Sequence, residues 1–106
     1  MCNVQAAEPQ MSAANGVLRR FVATRAVHES LMQTHRQEVM ACLERHLAHD
    51  WGEIPEEDKG LNQLALGDGG RLFSAYQAGG QRIWIITDAQ VTGYPLVTTI
   101  LFPSDY

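Results

Sequence analysis

The chain has 106 residues, of which 45% are hydrophobic and 19% are charged, and its formal net charge is −4. This composition is typical of a globular protein and excludes an intrinsically disordered chain, and the length predicts a single domain. We place that domain at residues 16–106, after a flexible segment at 1–15 that lacks periodicity. The acidic balance disfavours nucleic acid as a partner, because proteins that contact phosphates usually carry a basic face.

The sequence carries no signal for export or membrane insertion. Its start lacks the basic residues and apolar stretch of a secretory signal, and the longest apolar runs, Val39–Leu43 and Ile83–Ile86, are too short to cross a bilayer. The two cysteines make no disulfide framework and suit a reducing compartment. We therefore expect a cytoplasmic protein that has no membrane contact and needs no cofactor.

The first predicted element is Gly16–Thr24, which is rich enough in β-branched and aromatic residues for a strand. A helix is the alternative there. Thr24 is placed to cap a helix over Arg25–Gln33.

A second helix is predicted from the spacing of Thr34 and Gln37, which fits a capping box. The helix should run to about Ala48. Its apolar stripe has helical spacing and consists of Val39, Cys42, Leu43, His46 and Leu47.

A third, short helix is predicted after the sequence Asp50-Trp51-Gly52. Pro55 suits the first helical position, because its missing N–H needs no partner there. The glycines of Gly67–Gly70 should close the helix. Its predicted buried edge is Leu61, Leu64 and Ala65.

The last third of the chain predicts an antiparallel meander. Arg71–Gln77, Arg82–Thr87 and Leu96–Phe102 are rich in aromatic and β-branched residues, and glycine-bearing breaks separate them. With helices upstream to cover one face, the fold class is α+β: helices packed on a three- or four-stranded antiparallel sheet with a C-terminal β-meander.

Several motifs together resemble a family of small bacterial proteins found on plasmids and other mobile DNA, commonly labelled plasmid-related. The motifs include FVAT at 21–24, HLAHDWG at 46–52, GRLFSAY at 70–76, IWIIT at 83–87 and TTILFP at 98–103, together with Glu57-Asp58, Asn62, Ala65-Leu66 and Ser104-Asp105-Tyr106. The family has no established activity, so the resemblance implies a genetic context and not a chemistry. Relatives follow the second meander strand with a compact acidic–basic cluster, whereas this chain has the longer segment 88–95 without a basic residue.

Three groups of polar residues are candidates for a site. Cys42, His46 and His49, with Asp50 nearby, have helical spacing that would let a zinc ion bind, although packing is the commoner role of such residues. His46 or His49 with Asp50 could support acid–base chemistry. In the alternative interpretation Asp50-Trp51-Gly52 is structural: the carboxylate accepts backbone amides, Trp51 fills the core and Gly52 takes a positive φ.

The third group is a ligand pocket formed by Arg71, Ser74, Tyr76 and Trp84, for which an ordinary half-buried sheet face is the alternative. Arg71 is also a candidate catalytic residue. No carboxylate pair or phosphate-binding loop stands out.

We conclude from the sequence that a non-enzymatic binding or protein-interaction module of mobile DNA is favoured. Its partner is an unidentified protein or a second copy, paired through an exposed edge of Gly16–Thr24 or Val97–Phe102. The alternative is a small ribonuclease-like toxin, which rests on fold analogy and is disfavoured by the acidic charge.

Overall fold

The chain is known from a computed structural model, which describes residues 4–6, 10–11 and 18–106. Three helices occur in this part of the chain: α1 (Arg25–Thr34), α2 (Arg36–Leu47) and α3 (Glu56–Asp68). The strands are β1 (Val4–Ala6), β2 (Gln10–Met11), β3 (Leu18–Thr24), β4 (Leu72–Ala78), β5 (Gln81–Thr87) and β6 (Leu96–Leu101), and a 3₁₀ turn follows at Pro103–Asp105. The predicted α+β class is confirmed.

All strands belong to one sheet with the order β1-β3-β6-β5-β4, and β2 also pairs with β3. The predicted meander is confirmed, because β5 pairs antiparallel with both β4 and β6. The prediction of a wholly antiparallel sheet is wrong for one pair: β3 and β6 run parallel, with Phe21 opposite Thr98. The three helices and two strands that separate β3 from β6 along the chain form the long crossover that a parallel pair needs.

The strand alternative for Gly16–Thr24 is confirmed over Leu18–Thr24, and residues 16–17 lie outside the described residues. The prediction that this strand or Val97–Phe102 exposes a free edge is wrong. Strand β6 lies between β3 and β5, and β3 lies between β6 and the short strands β1 and β2. Neither strand therefore has a free edge along which a second copy would pair.

The predicted flexible segment 1–15 is only partly described. Val4–Ala6 pairs with the end of β3, and Gln10–Met11 pairs with its beginning. The other residues of that segment, Cys2 among them, lie outside the described residues.

The two helix starts differ from each other. Thr24 caps α1 as predicted, because its hydroxyl accepts a hydrogen bond from the Val27 amide at 3.4 Å. The predicted capping box at Thr34 is wrong, since the Thr34 hydroxyl donates back to the Ser30 carbonyl at 2.8 Å and belongs to the end of α1. Helix α2 then begins after His35 without a side-chain cap.

The main core lies between one face of the sheet and helices α1 and α2. Its centre is fully buried and combines helical and strand residues: Val27, Leu31, Val39, Leu43, Tyr76, Ile83, Ile85 and Ile100. The α2 stripe is confirmed except at Leu47, whose side chain is 40% exposed. A smaller cluster forms around Trp51, Ile54 and Ala75 at the β4 edge.

Helix α3 presents a different face from the predicted one. Leu61 and Leu64 are 61% and 68% exposed, whereas Asn62 and Ala65 are buried. The reason lies in β4, because the Asn62 side-chain amide donates to the Phe73 carbonyl at 2.7 Å and its oxygen accepts from the Phe73 amide at 3.1 Å. A polar contact, and not the leucine stripe, sets the rotation of the helix.

The outer edge of β4 is closed by the segment between α2 and α3 as well as by Asn62. The Glu53 amide donates to the Ala75 carbonyl at 2.8 Å, and the Ala75 amide donates to the Trp51 carbonyl at 3.2 Å. These bonds satisfy backbone groups that an open edge would expose to other chains.

Candidate functional site

A buried chain of polar side chains joins α2 to the sheet. The Nδ1 atom of His46 lies 2.5 Å from the Ser74 hydroxyl, and Nε2 lies 2.8 Å from the Thr87 hydroxyl. The Thr87 hydroxyl lies 2.8 Å from that of Thr98 on β6. Each of these residues is at most 3% exposed. A ring with both nitrogens engaged satisfies its hydrogen-bonding capacity inside the core.

Burial holds this imidazole in its neutral form. Desolvation, with smaller contributions from nearby His49 and Arg19, lowers the pKa of His46 from 6.5 to about 4. The polar chain thus carries no net charge near neutral pH. It can orient α2 on the sheet without the cost of a buried ion.

His49 lies two residues after the end of α2 and has an unusual backbone conformation. The Asp50 amide donates to the Arg45 carbonyl at 2.8 Å and the His49 amide donates to the His46 carbonyl at 3.1 Å, which is the Schellman pattern of helix ends. His49 takes the left-handed position of this motif with φ 66°. Glycine is the usual residue there, because a β-carbon costs about 1 kcal/mol in that conformation. The imidazole is stacked on Trp51, with 5.4 Å between ring centroids.

A cleft of about 380 Å³ opens beside this histidine, at one end of the sheet. Among the described residues its walls come from the end of α2, the end of α3 and the loop after β5, and its floor comes from the sheet. The lining residues are Arg19, His46, Leu47, His49, Ala65, Leu66, Gly69, Gly70, Leu72, Thr87, Gln90 and Leu96.

Strand register brings the floor of this cleft together. Arg19 pairs with Leu96 across β3 and β6, and Leu72 pairs with Thr87 across β4 and β5. The loop is held in place by the Gln90 amide, which donates to the Gly69 carbonyl at 2.8 Å. Segment 88–95 therefore contributes to one wall through Gln90.

The cleft combines apolar walls with a positive charge. Leu47, Leu66, Leu72 and Leu96 supply the apolar surface. Of the described lining residues, none is acidic and Arg19 alone is permanently charged. Concave sites that combine apolar walls with a few polar groups are typical of small-molecule binding.

The proposed zinc ligands do not converge. Cys42 lies in the core with its thiol 3.8 Å from the Gln77 carbonyl, and burial raises its pKa. His46 uses both ring nitrogens, and the His49 ring is stacked on Trp51. Within the described part of the chain, no three His, Cys, Asp or Glu side chains are grouped as metal ligands.

The proposed acid–base pair is also separated. Asp50 forms an ion pair with Arg45 at 2.8 Å and accepts from the Gly52 amide at 3.3 Å, and the hydrogen bond from Arg45 lowers the pKa of its carboxyl. Trp51 is buried and Gly52 has φ 70°, as the structural role of Asp50-Trp51-Gly52 requires. A β-carbon on Gly52 would collide with the Ala75 carbonyl and the Tyr76 ring.

The proposed pocket of Arg71, Ser74, Tyr76 and Trp84 is divided between the two faces of the sheet. Ser74 and Tyr76 lie under α2, and the Tyr76 hydroxyl donates to the Asp50 carbonyl at 2.5 Å. Burial raises the pKa of Tyr76 to about 12.

Trp84 pairs with Ala75 on the opposite face of the sheet and packs edge-on against Phe73 and Tyr106, with 5.2 and 5.8 Å between ring centroids. Arg71 reaches the same cluster, donating to the Tyr106 hydroxyl at 2.8 Å. No pattern in the sequence predicts this contact of Tyr106.

Sequence reasoning also missed most of the cleft. His46 and His49 were candidates for other reasons, but Arg19, Gln90 and the four leucines were not. Two features of the sequence were available: a histidine, His49, where a helix end favours glycine, and the long segment 88–95. Neither indicates a shared cavity by itself.

The chain matches no family model, no curated protein and no solved structure. None of the helices in the described part of the chain has the length and apolar character needed to cross a membrane.

Proposed function

We propose that the protein is a non-enzymatic binding module of the cytoplasm, encoded by mobile DNA, that holds a small molecule in the cleft between α2, α3 and the sheet. The observation that carries the proposal is His49. A residue with a β-carbon occupies a backbone position suited to glycine, and its side chain lies on the wall of the cleft. Strained backbone that the fold retains is concentrated at functional sites.

The burial and the hydrogen bonds of the polar groups at the floor of the cleft support a binding role over catalysis. Ser74 has no exposed surface, and His46 is 1% exposed with both ring nitrogens engaged. A general base must be within reach of a substrate proton, and a nucleophile must be within reach of a substrate atom. These groups are arranged to hold α2 on the sheet.

The resemblance to plasmid-related proteins supports the genetic context of the proposal. A second copy of the chain stays a predicted partner, through a surface other than the edges of β3 and β6. Sedimentation over a wide range of concentrations tests that partner, and a monomer throughout would remove it.

The experiment for the cleft is a fragment screen by amide NMR, followed by titration of the hits into His49→Gly. We expect hits to shift the amides of Gly69, Gly70 and Gln90. The variant should gain up to about 1 kcal/mol of stability, because glycine relieves the left-handed position, and should bind the hits more weakly. Ala48→Gly, one residue earlier on the exposed helix end, is the matched control and should keep its affinity. Hits that map elsewhere, or unchanged affinity in His49→Gly, would contradict the proposal.

A further inference from the structure

Among the described residues, the Arg19 guanidinium has no counter-ion. It lines the cleft, and within the described residues no ion pair or hydrogen bond reaches it. Three cations elsewhere in the fold have ion pairs: Arg45 with Asp50, Arg82 with Glu53 and Lys59 with Glu56. An unpaired cation beside apolar walls attracts an anion more strongly than one in open water, because the surroundings screen it less.

The described lining of the cleft carries one permanent positive charge and no acidic side chain, although the whole chain is acidic. The net charge of the chain is −4, yet Arg19 is permanently charged and the described lining contains no Asp or Glu. Long-range attraction by the protein as a whole favours cations. Selection of an anion at this place would therefore have to come from the local groups.

The apolar part of the lining lies next to this charge. Leu96 is the register partner of Arg19, and Leu72 stands further along the same face of the sheet. Leu47 and Leu66 face the cleft from the two helices and are 40% and 38% exposed. Partly exposed leucines in a concave surface gain free energy when an apolar ligand covers them.

On the basis of the proposed function, we infer that the ligand is an amphipathic monoanion. Its carboxylate or similar acidic group pairs with Arg19, and its hydrocarbon part packs on the four leucines. The Gln90 side chain and the His49 ring supply further polar contacts at the wall of the cleft. Arg19 is thus a specificity-determining residue, which selects the charge of the ligand, while the leucines supply binding that does not depend on charge.

The test uses three probes with the same six-carbon chain: hexanoate, hexan-1-ol and hexylammonium. Each is titrated into the full chain and followed through the amides of Gly69, Gly70 and Gln90. We expect hexanoate to bind on the order of tenfold more tightly than the alcohol, as a charge-assisted contact would give, and hexylammonium to bind most weakly.

Two variants and one control separate the contributions. Arg19→Gln should remove the preference for hexanoate over hexan-1-ol, whereas Arg25→Gln, an exposed arginine at the start of α1, should keep it. Leu66→Ala should weaken all three probes by a similar factor and leave the preference unchanged. The amide spectrum of each free variant establishes that it is folded.

The inference is overturned if the alcohol or the ammonium binds as tightly as hexanoate, or if the preference survives in Arg19→Gln. It is also overturned if no probe shifts the cleft amides. The proposed function is tested independently of the ligand's charge. It stands if a fragment of any charge occupies the cleft and binds more weakly to His49→Gly.

Discussion

The side-chain amide of Asn62 takes the place of a neighbouring strand opposite Phe73. Its nitrogen donates to the Phe73 carbonyl at 2.7 Å and its oxygen accepts from the Phe73 amide at 3.1 Å, so one side chain satisfies both backbone groups. This pair fixes α3 against β4. It thereby fixes the wall of the cleft that contains Ala65 and Leu66.

Replacement of this amide should destabilise the protein. Asn62→Ala leaves two partly buried backbone groups without partners, and we expect a loss of about 2 kcal/mol in the free energy of unfolding. Urea denaturation measures it. The neighbouring exposed Gln63→Ala is the control and should change the free energy by less than about 0.5 kcal/mol. Equal effects of the two substitutions would show that the amide contact contributes nothing to stability.

Glycines at two positions should respond to alanine in opposite directions. Gly52 has φ 70°, and a β-carbon there would collide with β4, so Gly52→Ala should lose about 3 kcal/mol or more. Gly60 lies inside α3, and a β-carbon there meets no atom within 4 Å. Gly60→Ala should therefore gain about 0.5–1 kcal/mol through helix propensity. Thermal and urea unfolding test both, and a stable Gly52→Ala protein would refute the close approach of residues 51–53 to β4.

The toxin alternative makes a prediction of its own. If the chain is a binding module, its induced expression should not arrest growth and the purified protein should not cleave RNA. Growth arrest that Arg71→Ala abolishes would instead favour the ribonuclease. Arg71 is the cleaner position for this comparison, because it is exposed, whereas His46→Ala would also disrupt the core.

The meander and the helix cap at Thr24 could be predicted because their signals are local. Alternation along β4 to β6 and the hydroxyl before α1 depend on neighbours in the sequence. The parallel pairing of β3 with β6 has no such signal, since its partners lie at opposite ends of the chain. Helical spacing marked Leu61 and Leu64 as a stripe, but the Asn62 contact decides which side of α3 is buried.

The candidate site was less predictable than the fold, for a related reason. The cleft lining comes from four strands, two helices and a loop, and only the register of the sheet brings Arg19 and Leu72 to the same end. The spacing of His49 in the sequence indicates a possible metal ligand, whereas the structure gives it an unusual backbone conformation. Histidine in the left-handed position becomes visible only when the end of α2 is known.

The buried His46 should make stability depend on pH. Its folded-state pKa is about 4, below the ordinary value of 6.5, so between these values the unfolded chain binds a proton that the folded chain does not. The contribution of this group to stability is therefore complete above about pH 6.5 and falls as the pH drops towards 4. Two and a half pKa units correspond to about 3 kcal/mol, an order-of-magnitude figure.

The measurement is the free energy of unfolding from pH 7 to pH 4 for the natural chain and for His46→Gln. Glutamine can still bond with Ser74 and Thr87 but does not titrate, so the stability advantage of the natural chain should shrink by about 3 kcal/mol over this interval. His35→Gln, which removes an exposed imidazole instead, is the control variant. Suppose that the free energy of unfolding varied with pH in the same way for His46→Gln and His35→Gln. His46 would then have to be accessible to protons in the folded state, and the neutral polar chain that anchors α2 beside the cleft would be ruled out.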